Sequence, residues 1–309
     1  MIRRFAAASL AALLCIAPAA SHAADGSLSI CLDENLPPLS VHHGGKPESG
    51  FDVALAHAIA DRLGRPLKIQ WFESKLDEDS SPALEANALL SDGRCMLIGG
   101  YAFTPDALTV PGMKTAKLPD FQGATRDDRR RRVALGVLAP SKPYVYVPLT
   151  VVLGAKARER KIEGVGDLRG LRIAIESGTV ADAILMTFDD GRLIDDITHL
   201  VPGRSDLLGA IDRGEFDATL LDLRRFDAYR ATHPNTSITA SGFYHPVGTN
   251  FGYVTLASEA VLLDEINKAL AELQAAGTLA QLGQAAGLTY LGPHEAAAGD
   301  DVWKKVLNR

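Results

Sequence analysis

This chain of 309 residues is poor in cysteine, methionine and tryptophan, with three, four and two of them, and has 6% aromatic residues. No His-Glu-x-x-His, no Gly-x-Ser-x-Gly and no phosphate loop occurs in it. The one adjacent histidine pair, His42-His43, sits in a Gly-Lys-Pro loop and reads as a surface feature. No Cys/Asp/His cluster at ligand spacing accompanies it, so neither a metal nor a cofactor is expected. A net positive charge is also lacking, since 32 lysines and arginines face 38 aspartates and glutamates. A net charge of −6 lacks the positive balance that phosphate tracking requires, which sets nucleic acid aside as a partner. Beyond the first two dozen residues no apolar run approaches the roughly 20 residues needed to span a bilayer. What is present is a globular composition, 47% hydrophobic and 23% charged with mean hydropathy near zero. At roughly 100–200 residues per domain, that length predicts two units, each with its own core.

The N-terminus reads as an export signal over residues 1–23. Met1 to Arg4 are basic, Phe5 to Ala20 are apolar with Pro18 near the end, and Ser21-His22-Ala23 forms a small-x-small cleavage site before Ala24. Removing Arg3 and Arg4 with this leader takes the net charge from −6 to −8. The expected location is therefore the periplasm. Cys15 belongs to the leader, because bulky Leu13 and Leu14 precede it where a lipidation signal favours small residues.

Two cysteines then remain, Cys31 and Cys95. In an oxidising compartment such a pair reads first as a disulfide and second as two buried thiols. Closing a loop of this length would restrict the unfolded chain by about 4 kcal/mol.

Hydrophobic patterning alternates strands with helices. Leu28 to Leu32 reads as a strand that stops at Asp33-Glu34-Asn35. Ser49 with Asp52 resembles a capping box opening a helix, with Phe51, Leu55, Ala58, Ile59 and Leu63 on one face and Gly64 at its end. Leu67 to Phe72 alternates as a strand, Pro82 to Leu90 reads as a short helix, and Cys95 to Ile98 as a buried strand entering Gly99-Gly100. Between Leu108 and Leu138 the pattern lapses, and Arg129 to Arg132 beside Asp127 and Asp128 read as a solvated loop, with anion binding or partner docking the alternative. Tyr144 to Leu153 reads as extended. A second set follows, with a strand at Leu171 to Ile175, the turn Glu176-Ser177-Gly178-Thr179, a helix from Val180 to Phe188, a helix from Ser205 to Gly214 and a strand from Phe216 to Leu221. Gly242 to Leu256 is extended, Ser258 to Ala276 helical with Gly277 as C-cap, and the tail from Tyr290, with a turn near Trp303, reads as loosely packed. Such alternation implies parallel sheets with ligands at the strand C-terminal ends, and points to the loops after Leu32 and Ile98.

Five motifs in order resemble the bacterial extracellular solute-binding proteins of family 3, the polar-amino-acid class. These are Pro37-Pro38, the stretch Gly50-Phe51-Asp52-Val53-Ala54-Leu55-Ala56-His57-Ala58-Ile59-Ala60, Asp167-Leu168-Arg169-Gly170, Gly178-Thr179 and Gly277-Thr278-Leu279. The resemblance implies an α/β two-lobed Venus-flytrap fold of type II topology. Lobe one would be discontinuous, 25–147 plus 250–309, lobe two would be 148–249, and the two extended segments would form the hinge. It implies a monomer that captures a small polar or amino-acid-like ligand between the lobes and delivers it to an ABC-type permease. Closure follows because a ligand touching both lobes favours the closed form. Expected ligand contacts are Glu73, Gly100, Tyr101, Thr104 and Tyr144 together with Ser177, Gly178, Thr179 and Asp222. Gly178 and Thr179 N–H groups would hold an anion and Asp222 an ammonium group, the plainer reading being a turn glycine and a helix cap.

The departures bear on the ligand. Ala107 stands where amino-acid binders of the family carry a carboxylate-binding arginine, and Ala102, Val180 and Glu176 also differ from frequent residues. A cleft with Glu73, Glu176, Asp222, Trp71, Tyr101, Phe103 and Tyr144 would suit a cationic or aromatic ligand, although aromatics at these spacings also fit a core. The placing of Cys31 and Cys95 further resembles a subgroup associated with periplasmic quinoprotein alcohol dehydrogenases, which implies an accessory role as the second reading; Met96 replaces that subgroup's aspartate. An enzyme such as a flytrap-fold dehydratase is the third reading, and no catalytic residue is assigned.

Overall fold

The computed structural model describes residues 26–42, 44, 47–74, 80–104, 107–108 and 112–294. The leader, Cys15, His43 and the turn near Trp303 lie outside the described residues.

The first strand-helix set begins with β1 (Leu28–Asp33), a short pair β2 (Asn35–Leu36) and β3 (Ser40–Val41), α1 (Phe51–Leu63), β4 (Leu67–Glu73), α2 (Pro82–Ser91) and β5 (Leu97–Ala102). β1 lies between β4 and β5 and is parallel to both. Then come β6 (Thr115–Lys117), β7 (Asp120–Phe121), β8 (Arg132–Ala134) and β9 (Leu138–Pro140). The second set comprises β10 (Val145–Leu153), β11 (Ile173–Glu176), α3 (Val180–Thr187), β12 (Ile197–Leu200), α4 (Leu207–Asp212), β13 (Ala218–Asp222) and α5 (Leu223–Thr232). β14 (Thr239–Leu256), α6 (Ala260–Ala275) and α7 (Thr278–Ala285) return to the first set.

One mixed sheet runs β12-β11-β13-β10-β14-β5-β1-β4-β7, with β9 on β14. Its two parallel sets meet through β10 and β14. The later half of β10, Leu149 to Leu153, pairs with β13, whereas Phe251 and the residues after it in β14 pair with β5 and β9. Between Pro148 and Thr150 the β10–β14 register slips. Pro148 has no N–H to give the ladder, so an irregularity at this position is expected. Apolar side chains bury three clusters, one around α1, α6 and α7, one around Cys31, α2 and β6, and one around β11, α3 and β13.

α1 does not begin with the capping box that Ser49 and Asp52 suggest. Gly50 is its N-cap, without a side-chain cap bond, while Ser49 bridges Val41. Gly50 has φ +119°, and a Cβ there would lie 2.3 Å from the Leu39 carbonyl oxygen, so only glycine fits. Asp52 is thereby turned into the interior and is wholly buried. The segment 108–138 is not merely a loop. Its Ala116 and Val133 are buried with α2 residues, and this drives β6 and β8 to pair across the arginine-rich turn. Cys31 and Cys95 are joined as a disulfide, with their Cα atoms 5.6 Å apart. Residues 288–294 are not a loose tail: Leu288 is buried, Tyr290 donates to the Tyr144 carbonyl at 3.1 Å, and Leu291 accepts from the Tyr146 N–H at 2.9 Å.

Candidate functional site

Parallel strands end where their peptide chains turn outward, and the two sets converge at those ends. β1, β4 and β5 finish at Asp33, Glu73 and Ala102; β11 and β13 finish at Glu176 and Asp222. Arg224, in the first turn of α5, reaches across the junction and donates to the Pro37 carbonyl beyond β1 at 2.8 Å.

On the second set these ends enclose a recess of about 140 Å³. Leu149, Ile175, Leu207, Leu220 and Leu221 make its apolar wall, and Glu176, Thr179, Asp222 and Arg225 provide its polar groups. Glu176 is buried and bound by both terminal nitrogens of Arg225, whose side chain is 40% exposed. That fork leaves other Arg225 N–H groups for a solute. A larger groove of about 460 Å³ between α1 and α6 lies at the opposite, N-terminal edge of β4, and its charges pair as Arg62–Glu272 and Arg65–Glu265.

Several expected contacts are otherwise engaged. Gly178 does not offer a free N–H, because it donates to Asp182 Oδ2 at 2.8 Å. Thr179 caps α3, its Oγ1 accepting from the Asp182 N–H at 3.1 Å and donating to the Glu176 carbonyl at 2.9 Å. Asp222 caps α5 by accepting from the Arg224 N–H at 2.8 Å, as the plainer reading had it. Ser177 is exposed, with its N–H on the Leu200 carbonyl. On the first set Thr104 is exposed and Glu73 half-buried at the end of β4.

Tyr101, Tyr144 and Trp71 are not cleft aromatics. Alternation along β5 turns the Tyr101 ring into the cluster beneath α2, where its hydroxyl donates to the Ala107 carbonyl and burial pushes it up beyond the ordinary tyrosine range. Tyr144 is wholly buried among Phe51 and Tyr253. Its hydroxyl accepts from the Gly100 N–H at 2.7 Å. Trp71 is buried, donates to Glu48 Oε1 at 3.0 Å and stacks on His42, which is therefore packed against a ring rather than a free surface residue. Among the described residues no group of three or more His, Cys, Asp or Glu could hold a metal ion.

Sequence reasoning overlooked Asp33, Arg224, Arg225 and above all Asp52. Burial raises Asp33, while the Asn35 N–H at 2.8 Å opposes the shift. Asp52 is pushed up to about 7 by burial, with the neighbouring Tyr144 hydroxyl and the Arg224 charge pulling it down. Among the described residues neither of its oxygens makes a well-formed hydrogen bond, and the Tyr253 hydroxyl and Arg224 Nε beside this junction are likewise unpartnered. Gly100 borders the same cluster at φ +64°, and a Cβ there would lie 2.7 Å from Asp52 Oδ2. The only sequence signal for the arginines is their position after a strand-terminal aspartate.

Solved structures match this architecture along most of their length. The L-cystine solute receptor of Neisseria gonorrhoeae, in its unliganded open conformation, has TM-score 0.59 and 18% identity, over 88% of this chain and 97% of that one. The fold is that of the two-lobed periplasmic solute-binding proteins. An ancestral cationic amino acid solute binding protein shares this solute-binding fold with TM-score 0.58 at 18% identity, over 84% and 95% of the two chains. A histidine kinase sensor domain with similarity to periplasmic binding proteins follows at TM-score 0.52 and 16% identity, over 87% and 99%. No family model matches the sequence, and no curated protein does. No helix among the described residues is long and apolar enough to cross a membrane.

Proposed function

We propose that this chain is an exported solute-binding protein of family 3 that holds a small polar or amino-acid-like ligand between its two strand sets and hands it to an ABC-type permease. The observation that carries this reading is the recess bounded by Glu176, Thr179, Asp222 and Arg225 at the strand ends of the second set, beside Arg224, which reaches Pro37 of the first set. It supplies both charge signs above an apolar wall, which suits a solute with polar groups at one end. The lobes are 25–147 with 250–309 and 148–249, and the hinge is formed by β10 and β14. The register slip at Pro148 and the change of strand partners nearby support this division. Arg225 takes the place in the ligand set that the buried tyrosines vacate.

The test is a thermal-shift screen of the chain from Ala24 against amino acids, amines, aromatic acids and small organic acids, followed by small-angle scattering with any compound that binds. A native-state ligand must raise the melting midpoint. Closure should reduce the radius of gyration, and the compound should be recovered unchanged. A Val180→Trp variant, which fills the recess, should keep its fold and lose the shift. A shift that persists in this variant would move the binding site elsewhere, and chemical conversion of the compound would favour the enzymatic reading. Copurification with a quinoprotein dehydrogenase, without ligand binding, would favour the accessory role to which the disulfide-bonded Cys31 and Cys95 also point.

A further inference from the structure

The β6–β8 hairpin carries charge that neither the recess nor the fold uses. Its inner face packs Ala116 and Val133 against α2. On its outer face Lys117 stands directly opposite Arg132 in the antiparallel register. Like charges so placed repel each other. Among the described residues neither side chain has an acidic partner, nor do the exposed Lys114 and Arg130 that flank them. Three of the four nearby carboxylates are already committed: Asp92 and Asp128 hold Arg94 at 2.6 and 2.7 Å, and also Arg131, while Asp120 holds Arg129 at 2.6 Å; the fourth, Asp127, is exposed and forms no ion pair among the described residues. The arginine run is thus sorted, with alternate members tied down and the others facing solvent. At the other end of the hairpin Met113 and Val137 are 41% and 72% exposed.

We propose that the outer face of this hairpin docks on an anionic lipid bilayer. Protein interfaces are enriched in aromatic residues as well as in Met and Arg, and are depleted in lysine; this face has the Met and the arginines but carries lysines in place of aromatic anchors. This face offers two lysines, two arginines and two aliphatic side chains instead. Lipid headgroups attract such charges without any fixed partner geometry, and the aliphatic chains can enter the headgroup layer. Because the chain as a whole carries −6, only a locally basic face can approach an anionic surface, so attraction also sets the orientation. Lys117 facing Arg132 is then relieved by headgroup phosphates rather than by the protein.

The experiment sediments the chain from Ala24, which contains every described residue, with vesicles of phosphatidylcholine alone or of equimolar phosphatidylcholine and phosphatidylglycerol. Binding to the anionic vesicles should exceed binding to the neutral ones. It should fall as salt shortens the Debye length from about 30 Å to about 8 Å. Each basic side chain near the surface contributes roughly fivefold, so Lys117→Gln with Arg132→Gln should lower partitioning about 25-fold. This double variant should melt no lower than the parent, since it removes a repulsion. Lys114→Gln with Arg130→Gln should act in the same direction from the flanks. Met113→Ser with Val137→Ser should weaken binding while leaving its salt dependence unchanged. Failure to bind anionic vesicles at low salt would overturn the proposal, as would equal binding by the parent and both basic-residue variants. Salt-sensitive binding to soluble polyglutamate with none to vesicles would also overturn it, and would assign the face to an acidic protein.

Discussion

Replacing Asp52 with asparagine should flatten the pH dependence of folding stability. Unfolded, this carboxyl titrates near 3.8; in the folded chain it is raised to about 7. Between those values the folded chain holds a proton that the unfolded chain has released. Stability from this group is therefore complete below about pH 4 and is lost as the pH rises to about 7. Evaluated between about pH 5 and about pH 8, the loss is about 2.5 kcal/mol. The groups facing Asp52 are Arg224, Tyr144 and Tyr253. The two tyrosines are held above their ordinary range and stay neutral throughout, and Arg224 stays charged, so Asp52 is the group in this cluster that changes. Asp33 and Asp227 are also raised by burial, but they are common to parent and variant and cancel in the difference. Urea unfolding followed by tryptophan fluorescence provides the assay, with buried Trp71 as reporter. Near pH 5 an amide replaces a neutral acid of similar shape, and the two proteins should lie close together. Near pH 8 the parent should have lost about 2.5 kcal/mol relative to Asp52→Asn. Parallel pH profiles would refute the reasoning, and would mean that the carboxyl titrates as though solvated.

The same cluster makes Arg224→Ala informative: with the pull of that charge gone, the stability inflection of Asp52 should move to higher pH in the same urea series, and an inflection moving down would exclude the coupling. Arg225→Ala leaves Glu176 buried without its fork; because Arg225 is itself 40% exposed, the loss should be that of an unsatisfied buried acceptor, about 1–3 kcal/mol. Glu176→Gln in the Arg225→Ala background should recover part of that loss, which a double-mutant cycle on urea midpoints measures. Reduction of Cys31–Cys95, which closes a 64-residue separation, should lower stability by about 2–4 kcal/mol in a thermal or urea melt. An unchanged midpoint after verified reduction would show that the crosslink does not constrain the unfolded chain.

The fold was legible because its signals are local and mutually consistent. Alternating runs such as Leu67 to Phe72, the apolar stripe from Phe51 to Leu63 and the glycines at 64 and 277 place β4, α1, α6 and their ends within a few residues of where they lie. Short elements were lost. β12 begins after two one-turn segments and exposes its Thr198 and His199, so no apolar run marks it. α5 starts with Leu-Arg-Arg and is polar through much of its length, which hid both the helix and the two arginines at its head. Strand alternation near the site was readable in period but not in phase, because the phase depends on which face of β5 meets α2. Gly100 therefore fell on the Asp52 side and Tyr101 on the core side without any local sign.

Asp52 shows where pattern reading reaches its limit. An aspartate three residues after a serine and just before an apolar stripe satisfies the local logic of a helix cap. That logic assumes the serine is free to act as N-cap. Here the 49–50 turn is controlled by contacts distant in sequence, the bridge from Ser49 to Val41 and the approach of Gly50 to the Leu39 carbonyl. These displace the cap by one residue and rotate the carboxyl from the helix end into the interior, beside residues 144, 224 and 253. The same rotation changes the chemistry from an exposed acid that steadies a helix to a buried one that titrates near neutrality. A solvated cap and a buried acid respond to rising pH with opposite signs, so the Asp52→Asn comparison distinguishes the two conformations of the turn as well as the two roles of the side chain.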